Sequence, residues 1–190
     1  MAKFKNSNAI THGLSGKFAD VLVFRQRAGE TFIGKIPASR TGELTDKQIQ
    51  VQERFTEGAQ YAKSVIADPA TKALYDAVAV DPQTAFNLAL GDYCSPPEIK
   101  SVDLSQYAGV VGNKITVKAI DNFMVKHVKL EIRKPDNSLI EEGDAVQDPR
   151  NGLLWVYTTT AANAAVSGTK IIAKAIDLPG NITEQDEIMP

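Results

Sequence analysis

The hydrophobic period of this chain changes at a double proline. After Pro96-Pro97 apolar residues alternate with polar ones. In "KITVKAID" Ile115, Val117 and Ala119 alternate with Lys114, Thr116 and Lys118, and in "KHVKLEIRK" Val128, Leu130 and Ile132 alternate with Lys129, Glu131 and Arg133. A period of two puts one side-chain set on each face of a strand. "LLWVYTTT" and "TKIIAKAID" read as further strands, with "PDN" and "LPGN" as turns. Short strands with one clean polar face predict a two-layer sandwich of about seven strands over residues 98–190. Trp155 and Tyr157 share a face there and are expected in its core.

Before the prolines the period is helical. Thr45 and Gln48 have capping-box spacing, and Val51, Phe55, Ala59, Ala62 and Ile66 fall on one stripe. Asp68-Pro69 and Asp81-Pro82 each set a capping carboxylate before a proline, the second opening "QTAFNLALG" with Gly91 as its stop. Three helices are thus expected over residues 44–93, with residues 94–97 as a Pro-rich linker. Much of their apolar supply is alanine. Such a core barely offsets the backbone entropy of ordering the segment, so burial from elsewhere is expected to complete it.

At the front, residues 1–43 read as a polar arm followed by a β-hairpin, Phe18–Phe24 and Thr31–Ile36, turning through Gly29. Along the first strand Val21 and Val23 point one way, Leu22 and Phe24 the other. A two-stranded ribbon with two apolar faces is marginal alone and needs cover on both sides. Charge is uneven along the chain. Residues 1–43 hold seven Lys/Arg and three Asp/Glu, residues 44–97 four and seven, and residues 98–190 ten and thirteen, giving +4, −3 and −3. A basic front ahead of acidic blocks favours contact between copies.

Residues 97–190 resemble a bacterial immunoglobulin-like domain. The resemblance lies in "KAIDNFMVKHVKLEI", "LLWVYTTT" and "IIAKAIDLPGNITEQ", the last similar to the penultimate strand, tight turn and final strand of bacterial surface and phage-borne sandwiches. It implies a fold and no particular role. The stretch "GLSGKFADVLVFRQRAGETFIGKIP" before helices resembles the amino-terminal region of small proteins from bacterial and phage-like contexts. That likeness points towards assembly components and brings no catalytic residues.

Few residues carry chemistry. "GLSGKF" has neither the glycine spacing nor the Ser/Thr of a phosphate loop, and is better read as entry to the hairpin. His12 and His127 stand far apart in sequence with no third partner for zinc. Cys94, the only cysteine, has no neighbouring His and is expected to be inert. Asp121, Asp177 and Asn181 could meet at one end of the sandwich and hold calcium, although Asp and Asn are also the ordinary residues of turns. "EEGD" and "EQDE" are expected as edge or loop charges. Arg25, Arg27, Lys35 and Arg40 gather at the hairpin, where an acidic neighbouring subunit is a better partner than nucleic acid because stacking aromatics are not interleaved. No apolar run is long enough to span a bilayer, and the start has no signal-peptide core.

The expectation is an α+β chain: an N-terminal β-hairpin with a small helical segment, followed by an immunoglobulin-like β-sandwich. It is expected to be a non-enzymatic subunit, without cofactor, made in the cytoplasm and carried in a filament, tubule or released phage-like particle. Its contacts with other copies or other particle subunits would run through Val21, Leu22, Val23, Phe24, Arg25, Arg27, Phe32 and Ile33. A binding module recognising a glycan or protein through the sandwich loops is the alternative, favoured if Trp155 is exposed.

Overall fold

The computed structural model describes residues 2–4, 13–27, 29–38 and 42–190. His12, Arg40, the side chain of Arg27 and most of the polar arm lie outside the described residues. The front of the chain forms a four-stranded antiparallel sheet rather than a lone ribbon. Its strands are β1 (Ala2–Phe4), β2 (Gly16–Phe18), β3 (Leu22–Arg27) and β4 (Glu30–Lys35), in the order β1-β4-β3-β2. The strand expected over Phe18–Phe24 is divided by a tight turn. Ala19 and Asp20 both have positive φ, 48° and 47°, and the Val21 N–H donates to the Phe18 carbonyl at 3.2 Å. Two left-handed central residues give the turn twist that suits a hairpin, so β2 folds back along β3. Gln26 Nε2 braces the sheet by donating to Thr31 Oγ1 at 2.7 Å and to the Leu14 carbonyl at 2.8 Å.

The helices are α1 (Asp46–Ala67), α2 (Pro69–Asp76) and α3 (Ala85–Cys94). Thr45 and Gln48 close the capping box at the start of α1, and the Asp68 carboxylate accepts from the Ala70 and Thr71 N–H groups at the start of α2. The third helix departs from expectation. Thr84, not Asp81, caps it by accepting from the Asn87 N–H, and the helix runs through Gly91 to Cys94. Ser95–Pro97 then lead into the next strand. The buried face of α1 is also rotated from the expected stripe: Gly58, Ala62 and Val65 are buried, whereas Val51, Phe55 and Ile66 are exposed. Small residues decide this face. A Cβ on Gly58 would lie 3.0 Å from Leu90 and 3.1 Å from Tyr93, so α3 packs where α1 is thinnest.

The remaining strands are β5 (Glu98–Asp103), β6 (Lys114–Ile120), β7 (Val125–Arg133), β8 (Leu139–Asp144), β9 (Val146–Asp148), β10 (Asn151–Thr158), β11 (Lys170–Asp177) and β12 (Ile182–Ile188). They form two antiparallel sheets, β5-β6-β10-β9 and β12-β11-β7-β8. Ile115, Val117, Ala119, Trp155 and Tyr157 from one sheet share a core with Val128, Leu130, Ile132, Ile171, Ala173 and Ala175 from the other. The alternation in the sequence is therefore the alternation of burial. Glu141 of "EEGD" is an exception to the expected edge charges. It is buried, and its Oε2 accepts from the Thr160 N–H and Oγ1, each at 2.7 Å, the Ala161 N–H and the Tyr157 hydroxyl. This carboxylate ties β8 to the loop after β10. Burial, with Glu141 beside it, pushes the Tyr157 hydroxyl up to about 12. Among the described residues the chain is α+β and mostly β, with three antiparallel sheets.

The helical core depends on the two-sheet body. Ala62, Val65, Tyr75, Ala85 and Ala89 are buried together, and Phe123 and Leu178 pack against them from the β6–β7 and β11–β12 turns. Tyr75 stacks on Phe123 with ring centroids 4.2 Å apart.

The front sheet yields the first prediction. Replacing Ala19-Asp20 with Asn-Gly supplies the residues that left-handed hairpin turns favour and stabilises β2 on β3 by about 1 kcal/mol. The measurement is slower amide exchange in Leu22–Arg27, with rates in β7 and β11 unchanged.

Candidate functional site

Three carboxylates meet where the helices dock. Asp92 is on α3, Asp121 in the β6–β7 turn and Asp177 at the end of β11, and one ligand atom from each lies within 4.8 Å of the others. Asp177 and Asp92 are buried, Asp121 half-buried. The local chemistry of each turn fixes its acid. Asp121 Oδ2 accepts from the Phe123 and Met124 N–H groups at 3.1 and 2.9 Å. Asp177 Oδ1 accepts from the Gly180 and Asn181 N–H groups at 2.8 and 2.6 Å. These are the self-bonding turns that Asp makes readily.

Asn181 holds rather than joins the cluster. Its Nδ2 donates to Asp177 Oδ2 at 2.7 Å and to the Tyr93 carbonyl at 3.1 Å, linking the β11–β12 turn to the end of α3. Asp92 is the member that sequence reading missed. It falls seven residues after Ala85 and three after Ala89, on the buried stripe of α3, and an acid on a buried stripe was the available signal.

Asp92 is fully buried, and its Oδ2 accepts from the Tyr75 hydroxyl at 2.5 Å. Tyr75 and Tyr61 hydroxyls are 3.0 Å apart. Tyr61, Tyr75 and Asp92 thus form a short hydrogen-bonded chain from α1 through α2 to α3. Desolvation raises the Asp92 carboxyl to about 7; the Tyr75 hydrogen bond opposes the rise, and the charges of Asp121 and Asp177 add to it. Burial likewise raises Asp177. Tyr75, buried and facing Asp92, is held protonated far above the ordinary tyrosine range.

The second feature is apolar surface that is exposed in part. By register, Phe18, Leu22, Phe24 and Ile33 share one face of the front sheet, while Lys17, Val23, Arg25, Phe32 and Gly34 share the other. Phe18 is 63% exposed; Leu22, Phe24 and Ile33 are half-buried. Val23 and Phe32 are half-buried, Arg25 is exposed, and Val21 sits exposed in the turn instead of in a strand. Among the described residues, no helix and no strand of the two-sheet body packs extensively on this sheet. On α1, residues 46–57 are all exposed and include Val51 at 69% and Phe55 at 57%. Two apolar surfaces thus lie on different elements of the same chain.

Other candidates fall elsewhere. Trp155 and Tyr157 are buried in the shared core, which removes Trp155 as a surface stacking platform. His127 is exposed on β7. Cys94 is half-buried on α3, its Sγ 4.0 Å from the Arg54 carbonyl. No described helix is long and apolar enough to cross a membrane.

No family model matches the chain, and no curated protein matches it. Among solved structures, it is similar to an engineered protein from the Northeast Structural Genomics Consortium, at 11% identity and a TM-score of 0.35. The alignment covers 55% of this chain and 25% of that one, so the chain spans about a quarter of that structure's length. A likeness this shallow carries no argument about fold or role.

The second prediction concerns pH. An acid whose folded pKa is raised holds its proton longer when folded, so its contribution is complete below the unfolded value and lost as pH rises through the folded one. For Asp92 that window runs from the ordinary carboxyl value of 3.8 to about 7. In metal-free buffer Asp92→Asn is therefore more stable than wild type by roughly 3–8 °C above pH 7, and the difference shrinks towards pH 4. Thermal melts of both proteins across this range measure it.

Proposed function

We propose that this chain is a non-enzymatic structural subunit that associates with other copies of itself, head to tail, through its front sheet. The carrying observation is apolar surface exposed on two different elements: Phe18, with the half-buried Leu22, Phe24 and Ile33 beside it on one sheet face, and the Val51 and Phe55 row of α1. Because the two surfaces differ, a contact between them is heterologous, and repetition gives a ring or an open filament. Charge supports the same pairing, since residues 1–43 carry a net +4 and residues 44–97 a net −3. The described outer strands, β1 and β2, are three residues each and offer short edges. The sheet's face, more than its edge, is then the contact. Partners within a filament, tubule or phage-like particle fit this reading.

The two-sheet body fits an immunoglobulin-like sandwich serving as a spacer. Taking β5, β6, β7, β9, β10, β11 and β12 as A to G, its order is A-B-E-D in one sheet and C-F-G in the other, with β8 added beside C. The resemblance of residues 97–190 to bacterial immunoglobulin-like domains supports this reading of the fold.

The third prediction uses two variants. Phe18→Asp disables the sheet face and Phe55→Asp the helix row, both at exposed positions, so folding is expected to change by no more than about 0.5 kcal/mol. Full-length protein should grow in sedimentation velocity with concentration and show regular polymers by negative stain. Each variant alone should stay monomeric. Mixed, they should form a dimer and stop, because only one functional pair of surfaces remains. A full-length protein that is monomeric at every concentration, or two variants that polymerise normally, would defeat the reading.

A further inference from the structure

The carboxylates at the helix–body junction have chemistry left over. Each of the three keeps the hydrogen bonds that orient it, yet Asp92 Oδ1 and Asp121 Oδ1 are buried and accept no hydrogen bond. Asp92 is completely inaccessible to solvent. A buried carboxylate oxygen without a donor forfeits its hydration and gains nothing in return. Among the described residues no Lys or Arg forms an ion pair with Asp92, Asp121 or Asp177. Three acids therefore converge with two unsatisfied buried oxygens and no counter-charge. Turns that merely bonded their own backbone would leave none of this, and the third acid comes from a helix, where no turn requires it.

We propose that Asp92, Asp121 and Asp177 bind one hard divalent cation, Ca²⁺, which fastens α3 to the two turns of the body. The donor set is all carboxylate oxygen, without His or Cys, which selects a hard ion. Ca²⁺ takes oxygen ligands at roughly 2.3–2.6 Å, so two ligands of one ion can stand about 4.6–5.2 Å apart. The three ligand atoms all lie within 4.8 Å of one another, close enough for one ion to touch all of them. Mg²⁺ demands near-ideal octahedral geometry and gives up its waters reluctantly, whereas Ca²⁺ accepts the irregular set that carboxylates already oriented by their own turns present. Water completes the shell from the side of Asp121, the least buried member. Asn181 and the N–H groups of Phe123, Met124, Gly180 and Asn181 bond the same carboxylates and hold them for the ion. With three protein carboxylates the site belongs to the weaker range, with Kd on the order of 10⁻⁴–10⁻³ M. The ion would join helix and body regardless of whether copies associate.

The test is CaCl₂ titration of full-length, chelator-stripped protein, followed by calorimetry and thermal melting, with MgCl₂ in parallel. The expected result is one saturable Ca²⁺ site and a melting temperature raised by ~5 °C or more at a hundredfold Kd, with a smaller response to Mg²⁺. Asp121→Asn should lose the saturable site and the melting shift. Asp92→Asn should lose both while being at least as stable as wild type without metal, which separates lost binding from lost folding. Absence of saturable heat and of any melting shift up to 10-fold above about 10⁻³ M overturns the proposal, leaving a proton shared between Asp92 and Asp121. Ca²⁺ binding that survives in both variants overturns it equally, because the ion then sits on surface acids.

Discussion

The packing of Tyr75 against Phe123 is the contact on which the rest of the arrangement depends. Three of the five buried residues of the helical core are alanine, and besides Tyr61, Phe86, Leu88 and Leu90 of the helices it is closed by Phe123 and Leu178 from turns of the two-sheet body. Docking by apolar burial is not selective about the polar groups it carries along. When Tyr75 goes under Phe123, its hydroxyl goes too, and a partner must be found inside. Asp92 supplies that partner and is itself drawn out of water beside Asp121 and Asp177. Stability and unsatisfied charge at this junction thus have one origin.

Much of the fold was legible because its rules are local. The two-residue alternation of Ile115, Val117 and Ala119, and of Val128, Leu130 and Ile132, marks the buried face of β6 and β7 directly. Thr45 with Gln48, and Asp68 before Pro69, announce helix starts through bonds made within four residues. Where reading failed, tertiary packing had overridden the local signal. Large apolar residues on α1 point to one stripe, but α3 approaches along Gly58 and Ala62, because close approach favours small side chains over greasy ones. Asp81-Pro82 looks like Asp68-Pro69, yet Thr84, three residues after Asp81, makes the capping bond. At the front, the reversal at Ala19-Asp20 has Asp20 as its one turn residue and no glycine, set between apolar residues, so a single strand is expected where the chain turns back.

The candidate sites divide in the same way. Asp121 and Asp177 were legible because adjacent strands end together and acidic turns follow them. Asp92 was not, since its neighbours in space are separated from it by long stretches of sequence. Glu141 shows the converse. An acidic run on an edge strand reads as solvated charge, but one of its members turns inward to satisfy the Thr160 and Ala161 N–H groups. A carboxylate's role is set by which backbone donors lack partners nearby, and that is known only once the loop is in place.

The exposed half of α1 also acts as a ruler. Residues 46–57 continue the rigid helix that Gly58, Ala62 and Val65 anchor. Each residue of helix advances about 1.5 Å and turns about 100°. Reach and azimuth are therefore locked together: a molecule gripping Phe55 has its distance from the anchor and its angular heading chosen by the same count of residues. Lengthening this segment by one residue would swing the gripping side away far more than it would extend it, so lateral spacing along any assembly can change only in jumps of near-whole helical turns.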